Sequence, residues 1–432
     1  MPLDPSSPVP RRIAVVGGGI SGMAAAHSLS RSHAVTLIEA EPRLGGHART
    51  ILAGKRGDQP VDTGFIVFNK VNYPRLLALF EELDVPIADS DMSFAASLAG
   101  GRVEYSTQTL DTMFAQRRNL ANPPFLRMVR DILRWNGRAA NEANDTTLSL
   151  RQFLDSLGLG RSFRDWYLGP ISGAIWSTPS QNVMEFPAAA MVRFFANHHL
   201  LANTGQHDWF TVAGGSTAYV SRLEARLRRV GVDIRLGAGV RGIRRGPGGP
   251  ELALRGGAWE EFDEIVLATH ADDSLRLLTD PSPAERALLS RIRYQSNHAV
   301  THNHAALMPR RRKCWASWNY NEPAGARPDQ LGLTYWMNRL QPIPQDDPLF
   351  VSLNPQMPIP EEAIFDEITY RHPLYDLAMM DAVEGVRRMN GTRGTWFCGA
   401  WMHSGFHEDG IRSAFDVVDA MERRDALGVA AA

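Results

Sequence analysis

A glycine-rich turn between an apolar run and a helix-forming segment, near the start of the chain, restricts what this sequence can fold into. The apolar run leads into Gly17-x-Gly19-x-x-Gly22, small residues follow, and a second apolar run ends at Glu39. This spacing predicts a βαβ unit that binds a dinucleotide. Gly17 permits the tight turn, Gly19 lets the backbone approach a pyrophosphate, and Gly22 lets the helix pack close to the strand.

The same unit predicts where the bound nucleotide lies. Ile20 and Ser21 open the expected helix Ile20–Leu29, whose free N–H groups and dipole favour phosphate. Glu39 lies where an acid accepts ribose hydroxyls, and its charge argues against NADP because it repels a 2′-phosphate. The unit alone leaves NAD and FAD open, and a glycine turn without any ligand is the alternative interpretation.

Length and composition set the broad class. With 432 residues the chain is expected to form two lobes, and its net charge of −1 gives no general attraction to nucleic acid. Two cysteines, Cys314 and Cys398, are too few for a disulfide framework, which predicts a reducing, cytoplasmic setting. The sequence shows no apolar run of the ~20 residues that a membrane span requires. Peripheral membrane contact is compatible with it. We interpret residues 1–10 as a short disordered leader.

The character of the sequence changes twice along the chain. Helical patterns with many aromatic residues run from about Pro86 to Gln206, and strands between polar loops follow from Asp272. The predicted fold class is therefore α/β, with a Rossmann-like nucleotide-binding lobe and an inserted α+β substrate lobe. The expected limits are 1–85, 207–271 and 390–432 for the nucleotide-binding domain, and 86–206 and 272–389 for the substrate-binding domain.

Further segments carry a family resemblance. They are Arg43-Leu44-Gly45-Gly46, Gly214-Gly215-Ser216, 265–269 and Phe397-Cys398-Gly399. Together with the first βαβ unit they resemble the FAD-dependent amine oxidase and phytoene desaturase superfamily, over nearly the whole chain. Within it, 318–320, 334–341 and 405–410 resemble a bacterial NAD/FAD-binding flavoprotein group encoded near cyclopropane-fatty-acid-synthase-like enzymes.

The resemblance implies a GR2-type flavoprotein with a distributed, non-covalent FAD site. A second glycine pair under the cofactor favours FAD over NAD, and a helix that opens with Asp409-Gly410-Ile411 would face the flavin N1 and C2 carbonyl. The cofactor-binding residues that it implies are Gly17, Gly19, Ile20, Ser21, Gly22, Glu39, Arg43, Gly45, Gly46, His47, Thr63, Gly64, Phe65, Val240, Gly399, Gly410 and Ile411.

The sequence departs from the family pattern at several positions. His47 replaces an arginine, which removes a pyrophosphate partner that Arg43 or Arg49 could replace. Ala400 replaces an acid that would contact the ribityl chain. Phe406 aligns roughly with a tyrosine of the amine oxidases but lacks its hydroxyl, and none of the three lysines lies in the strand expected to hold a water near flavin N5.

Candidates for lining the reactive face of the flavin are Trp401, Phe406 and His407, with a packed aromatic loop as the alternative. Three histidines share one face of the expected strand 298–305. No acid or cysteine at ligand spacing completes a metal site there, so we predict no metal and a sheet face that lines a cavity.

We expect an FAD-dependent oxidoreductase that transfers hydride from a substrate C–H bond to flavin N5. An aromatic-rich lobe without an obvious charged anchor favours a small, apolar substrate, and the gene neighbourhood of the resembled group points to modified fatty acyl chains. Oxidation or desaturation of such a chain is the leading hypothesis. The alternatives are an amine oxidase that produces peroxide, and an isomerase or binding protein that uses flavin without net redox turnover.

Overall fold

A five-stranded parallel sheet forms the part of the molecule that contains the first βαβ unit. The computed structural model describes residues 10–202, 205–325 and 329–431, and side chains as far as residue 426. In spatial order the strands are Asp233–Arg235, Ala34–Ile38, Arg12–Val16, Glu264–Leu267 and Thr395–Phe397. Every neighbouring pair is parallel. Ile13, Val15 and Val266 are fully buried, as expected where both faces of a parallel sheet are covered.

A seven-stranded mixed sheet dominates the rest of the molecule. In spatial order its strands are Ile364–Pro373, Tyr294–His302, Phe350–Leu353, Leu333–Trp336, Trp318–Asn321, Phe94–Leu98 and Val103–Ser106. Its neighbours are antiparallel, except that Trp318–Asn321 runs parallel to Phe94–Leu98. Residues from both expected insertions therefore meet in one sheet. The α/β class with an inserted α+β part is confirmed, whereas the domain limits stay a prediction.

Three small antiparallel sheets connect these parts. They are the hairpin Thr50–Ala53 with Gln59–Asp62, the sheet Val67–Asn69, Trp209–Val212 and Ile87–Ser90, and the sheet Val240–Gly246, Gly249–Leu254 and Trp259–Glu261. Gly246 pairs with Gly249 across the tight turn that the Gly-Pro cluster predicts.

Helices cover the sheets and build most of the region between residues 110 and 197. The α-helices are Ile20–Leu29, Pro74–Glu82, Leu110–Met113, Pro123–Glu142, Leu150–Ser156, Arg161–Phe163, Gly169–Trp176, Ser180–Val183, Ala188–Asn197, Thr217–Arg229, Ala271–Leu277, Pro283–Leu289, Met337–Leu340, Leu377–Met389 and His407–Ala431. A π-helical turn is formed by Arg164–Leu168. The 3-10 turns are Arg117–Ala121, Ala305–Leu307, Arg312–Cys314, Glu361–Ala363, Thr392–Gly394 and Ala400–Met402.

Within the described ranges, no helix combines the length and the apolarity that crossing a bilayer requires. Residues 1–9 of the expected leader lie outside the described part of the chain.

Three element boundaries differ from the sequence-based expectation. The strand expected over 298–305 is Tyr294–His302. The apolar segment 331–338, between polar loops, also predicts a strand, but its last part forms the helix Met337–Leu340. The last helix begins at His407 rather than at Asp409, because the Asp409 carboxylate accepts the N–H of Phe406 at 3.0 Å. An acid in the third helical position that accepts this N–H stabilises a helix start two residues earlier.

Two glycines allow the close packing of the first helix to be tested. A Cβ added to Gly22 would lie 1.8 Å from the carbonyl oxygen of Gly17, whereas one added to Gly137 in the helix Pro123–Glu142 would have no heavy atom within 4 Å. We expect Gly22→Ala to destabilise the fold by roughly 2 kcal/mol or more, because the helix must move away from the strand. Gly137→Ala should stabilise it by about 0.5–1 kcal/mol. Urea unfolding followed by circular dichroism measures both, and equal stability of the two variants would contradict the expectation.

Candidate functional site

The two glycine segments singled out by the sequence form one continuous surface. The Gly45 N–H donates to the Gly18 carbonyl at 2.8 Å, and Gly19 pairs with Gly45 in a parallel bridge. A Cβ added to Gly46 would lie 3.1 Å from the Gly19 Cα. Gly45 and Gly46 both have positive φ, of 109° and 57°, which L side chains rarely adopt. Glycine is therefore required for the chain to pass this close to the first turn.

The start of the first helix faces open space. Gly19 is its N-cap residue and no side chain caps it, and the first turn contains no acid. A Cβ added to Gly19 would meet no heavy atom within 4 Å, although the backbone around it is closely packed. A helix N-terminus with uncapped N–H groups beside free volume fits a pyrophosphate.

Glu39 marks the adenosine end of the surface. Its carboxylate accepts the Gly18 N–H at 2.5 Å and the Glu41 N–H at 2.8 Å, which fixes it at the carboxyl end of its strand. The oxygens keep further lone pairs that can accept ribose hydroxyls. The Ala238 N–H donates to the Glu39 carbonyl at 2.9 Å, so the strand that begins at Val240 approaches the same end.

The last helix brings the other predicted cofactor residues to the first. The Ser413 hydroxyl accepts the Gly399 N–H at 2.9 Å and donates to the Gly410 carbonyl at 2.8 Å. A Cβ added to Gly410 would lie 2.8 Å from Ile20 Cγ2 and 2.9 Å from Ser21 Oγ. The starts of the first and last helices therefore lie side by side.

His47 replaces the expected arginine with a neutral ring among aromatic residues. The Phe65 N–H donates to the His47 carbonyl at 2.9 Å, and the His47 ring stacks on Tyr370 at 4.8 Å between centroids. The Thr63 hydroxyl lies 2.6 Å from the Tyr370 hydroxyl. The buried His47 Nε2 has no hydrogen-bond partner among the described residues. A bound polar group would satisfy this atom, so the loop 63–65 and His47 fit a cofactor.

The two arginines considered as replacements differ in their contacts. Arg43 donates to the carbonyls of Gly46 at 3.0 Å and Leu44 at 3.3 Å, so it lies on the glycine loop itself. Arg49 forms a bidentate ion pair with Asp366, at 2.6 and 2.8 Å. Arg49 is therefore engaged elsewhere, and Arg43 is the better candidate for a phosphate partner.

Sequence reasoning missed a cluster of half-buried histidines around His47. The His270 and His372 rings lie 6.0 and 5.6 Å from the His47 ring between centroids. Burial lowers the pKa of His270, His372 and His407 to about 3, and burial together with the Arg43 charge lowers the pKa of His47 to about 4. These imidazoles are neutral near pH 7. They come from four separated segments, so no sequence spacing could reveal the cluster.

The three candidates for the reactive face occupy different surroundings. The Phe406 ring lies 5.0 Å from the Phe194 ring between centroids. The His407 ring stacks on Phe65 at 3.7 Å, and its Nε2 lies 2.9 Å from the Tyr219 hydroxyl. Trp401 is buried, with its indole N–H donating to the Thr269 carbonyl at 3.1 Å. Phe406 and His407 thus lie at the start of the last helix, next to the predicted cofactor-binding surface. Trp401 packs against Gly399.

The three histidines of the expected strand 298–305 do not line one cavity. His298 is exposed, 3.2 Å from the Glu367 carboxylate, and the buried His302 contacts the Ser352 hydroxyl at 2.8 Å. His304 follows the end of the strand, and its N–H donates to His302 Nδ1 at 3.0 Å. The expectation of a shared cavity face was wrong, because the strand ends before His304.

One group of side chains in the described part of the chain has ligand atoms near enough for a metal ion. It consists of His270, Asp272 and Asp273, within 4.8 Å of one another. Both carboxylates contact Arg371, and Asp273 also contacts Arg276. Two guanidinium groups therefore already balance the charge that would attract a cation.

Comparison with known proteins agrees with this geometry. A family model of flavin-containing amine oxidoreductases matches residues 20–324, more than half of the chain. (S)-6-hydroxynicotine oxidase from Paenarthrobacter nicotinovorans is 24% identical over 281 residues. The match covers 63% of this chain and 63% of that protein, so it spans less than two thirds of the relative's length.

Solved structures share the fold at low identity. A CLA-producing fatty acid isomerase from P. acnes superposes with a TM-score of 0.67 and 17% identity, over 95% of this chain and 98% of the other. A variant of putrescine oxidase superposes with a TM-score of 0.66 and 17% identity, over 98% of this chain and 100% of the other. At such identities the likeness establishes the architecture.

Gly19 offers a test of the cofactor surface that separates binding from folding. An alanine Cβ would point into free volume, so we expect Gly19→Ala to change the stability of the apoprotein by less than about 1 kcal/mol. The same Cβ would occupy the space for the pyrophosphate, and FAD affinity should fall roughly tenfold or more. Flavin absorbance of the purified protein and FAD titration of the stripped protein measure this. Unchanged affinity would show that the phosphates lie elsewhere.

The lowered pKa of these four histidines predicts that the folded protein loses stability in acid. Their pKa in the folded protein lies below the ordinary value of 6.5, so the unfolded chain binds more protons between pH 6.5 and about 4. Burial raises the pKa of Asp62 and Asp409 to about 6, which has the opposite effect below pH 6 and offsets part of the loss. We expect the free energy of unfolding to be lower at pH 5 than at pH 7 by about 2–5 kcal/mol.

A matched pair of variants assigns this pH dependence. His372→Asn should reduce the difference between pH 7 and pH 5 by about 1–2 kcal/mol, because one buried imidazole no longer titrates. His199→Asn, at an exposed histidine, should leave the difference unchanged. Urea unfolding at the two pH values measures both variants. The same difference in unfolding free energy between pH 7 and pH 5 for the two variants would refute the role of the cluster.

Proposed function

Because the chain belongs to the family of flavin-containing amine oxidoreductases, with FAD as cofactor, we propose that it oxidises or desaturates a C–H bond of an apolar, lipid-like substrate. FAD, when bound, supplies an acceptor for two electrons. The site residues predicted from the sequence would hold it: Gly19 and Gly45 under the phosphates, Glu39 at the ribose, and Gly410 at the flavin end.

The observation that carries the proposal is an aromatic wall beside the start of the last helix. The wall consists of Trp176, Phe186, Phe194, His198, Tyr375 and Phe406. Phe194 lies 4.7 Å from Trp176, 5.0 Å from Phe406 and 3.9 Å from His198, between centroids. Burial lowers the pKa of His198 to about 4, so the wall carries no formal charge near pH 7. Such a surface favours an apolar chain.

Nearby charged groups offer no anchor for the ammonium group of an amine. The Glu408 carboxylate accepts the backbone N–H groups of Arg75 and Leu76, at 3.1 and 3.0 Å. The Asp409 carboxylate accepts the Phe406 N–H at 3.0 Å. Both carboxylates are therefore used to fix helix starts. All three lysines of the chain are exposed, so none can act beside the aromatic wall.

The chain's own residues position the substrate and exclude water. Trp176 and Phe194 lie on the helices Gly169–Trp176 and Ala188–Asn197, and Phe406 lies in the loop before the last helix. The other wall residues, Phe186, His198 and Tyr375, lie in segments between helices and strands. The Trp176 indole N–H donates to the Ser404 carbonyl at 3.2 Å, which ties that loop to the inserted region. We infer that an acyl chain lies along Phe194 and Phe406 with its reacting carbon toward His407. Neutral His407, held by the Tyr219 hydroxyl, can hydrogen-bond the substrate there without adding charge, and its pKa of about 3 makes it too weak a base to take a proton near pH 7.

Isomerisation of an unsaturated acyl chain without net redox turnover is the second candidate. Return of a hydride to a different carbon of the same chain, rather than transfer of the electrons to an acceptor, would shift a double bond without net redox turnover. The shared fold with a fatty acid isomerase is compatible with this chemistry. Product analysis without oxygen or another electron acceptor separates the two, because isomerisation would continue over many turnovers whereas oxidation would stop after one turnover per flavin.

Anaerobic mixing tests the substrate class. We expect methyl-branched, cyclopropane or unsaturated fatty acyl compounds to bleach the flavin absorbance of the holoprotein, and primary amines and polyamines to leave it unchanged. Reduction by amines, with none by any acyl compound, would reject the proposal in favour of amine oxidation.

Phe406→Ala tests the wall itself. Truncation removes apolar contact with the chain, so the KM or Kd for an acyl substrate should rise roughly tenfold while flavin content is retained. Phe415→Ala is the matched control, since Phe415 is a partly buried phenylalanine on the last helix that does not belong to the aromatic wall. Equal effects of the two variants would show that Phe406 has only a packing role.

A further inference from the structure

Four leucines are exposed within a short segment on the inserted region. Leu110, Leu120, Leu126 and Leu133 are 78%, 56%, 42% and 57% exposed. An isolated exposed leucine is ordinary on a protein surface, but four within one segment make the surface of that segment unusually apolar. The segment comprises the helix Leu110–Met113, the turn Arg117–Ala121 and the helix Pro123–Glu142. We call its solvent-facing side, over residues 110–138, the leucine–arginine face.

The long helix of this segment has two distinct sides. Leu126, Arg130 and Leu133 are spaced four and three residues apart, so they lie along one stripe, and all three are exposed. Phe125 and Trp135 on the opposite side are fully buried in the core. The helix therefore lies flat on the molecule with two leucines directed outward.

The face is strongly basic, although the chain as a whole has a net charge of −1. Residues 110–138 contain six arginines and two aspartates. Asp131 is buried, with Arg130 2.9 Å from its carboxylate. Asp111 contacts both Arg117 and Lys313, which places the basic loop 310–313 next to the same face. Positive charge in excess therefore surrounds the exposed leucines.

We propose that the leucine–arginine face docks the protein on an anionic phospholipid bilayer. Leucines at this density gain free energy by entering the acyl boundary, while arginines at the same level bind lipid phosphates. Nucleic acid would use the charge but would leave the leucines in water. The proposal goes beyond the proposed function and stands without it, because neither the leucines nor the arginines belong to the cofactor or substrate surface.

Docking would bring the membrane close to the core residues that pack behind the aromatic wall. Trp135, on the inner side of the long helix, lies 6.3 Å from Phe195 between ring centroids, and Phe195 adjoins Phe194 of the wall.

Vesicle flotation of the FAD-loaded full chain tests the proposal. We expect recovery with vesicles that contain phosphatidylglycerol and little recovery with pure phosphatidylcholine. Binding should fall roughly tenfold or more when salt rises from low to about 0.5 M, because the arginine contacts are screened. Absence of binding to phosphatidylglycerol vesicles, or equal binding to both lipids, would overturn the proposal.

Surface variants separate the contribution of the leucines to vesicle binding from that of the arginines. Leu126→Gln with Leu133→Gln should reduce the partition coefficient roughly tenfold, and Arg127→Glu with Arg310→Glu should abolish the preference for anionic vesicles. Controls of matched type elsewhere are Leu52→Gln, at a leucine that is 65% exposed, and Arg388→Glu, at an exposed arginine. Flavin content and circular dichroism verify folding. Vesicle binding by the leucine variant that equals the Leu52→Gln control would refute the role of the face.

Discussion

The close approach of two helix starts is the contact on which the rest of the site depends. Gly22 allows the first helix to lie against the turn at Gly17, and Gly410 allows the last helix to lie against Ile20 and Ser21. Two positive helix ends beside each other repel, and a bound anionic group relieves that repulsion. The glycines thus bring two helix starts together, and the start of the first helix, which has no acid in its first turn, favours a phosphate.

Much of the cofactor surface could be predicted from the sequence because its parts are local. The turn from Gly17 to Gly22 and the acid at Glu39 lie within one βαβ unit, where spacing fixes position. Tyr370 approaches His47 because of the register of its strand, which lies more than 300 residues further along the chain. His270 approaches His47 from a loop that follows another strand. The pairing of Arg49 with Asp366 has the same origin. No short-range pattern encodes such contacts, so the histidine cluster and the ion pair of Arg49 could not be predicted from the sequence.

Burial has a chemical consequence at this site. The partial burial of His47, His270, His372 and His407 costs stability in acid, but it also keeps four imidazoles neutral beside the surface that we propose holds the flavin. Neutral rings can donate or accept hydrogen bonds without adding a fixed charge. A site of this kind is consistent with the apolar substrate that we propose, and it leaves aromatic rings as the groups that an ammonium ion could contact.

The helix Pro123–Glu142 connects the two proposals physically. Its inner side supplies Trp135 to the core beneath the aromatic wall, and its outer side presents Leu126 and Leu133 among arginines. A helix needs one apolar stripe to be stable on a protein, and exposed leucines on the other side add nothing to folding. A binding partner with an anionic surface and an apolar interior explains both the exposed leucines and the excess positive charge. A bilayer has that structure, and it is also where an enzyme of acyl chains would meet its substrate.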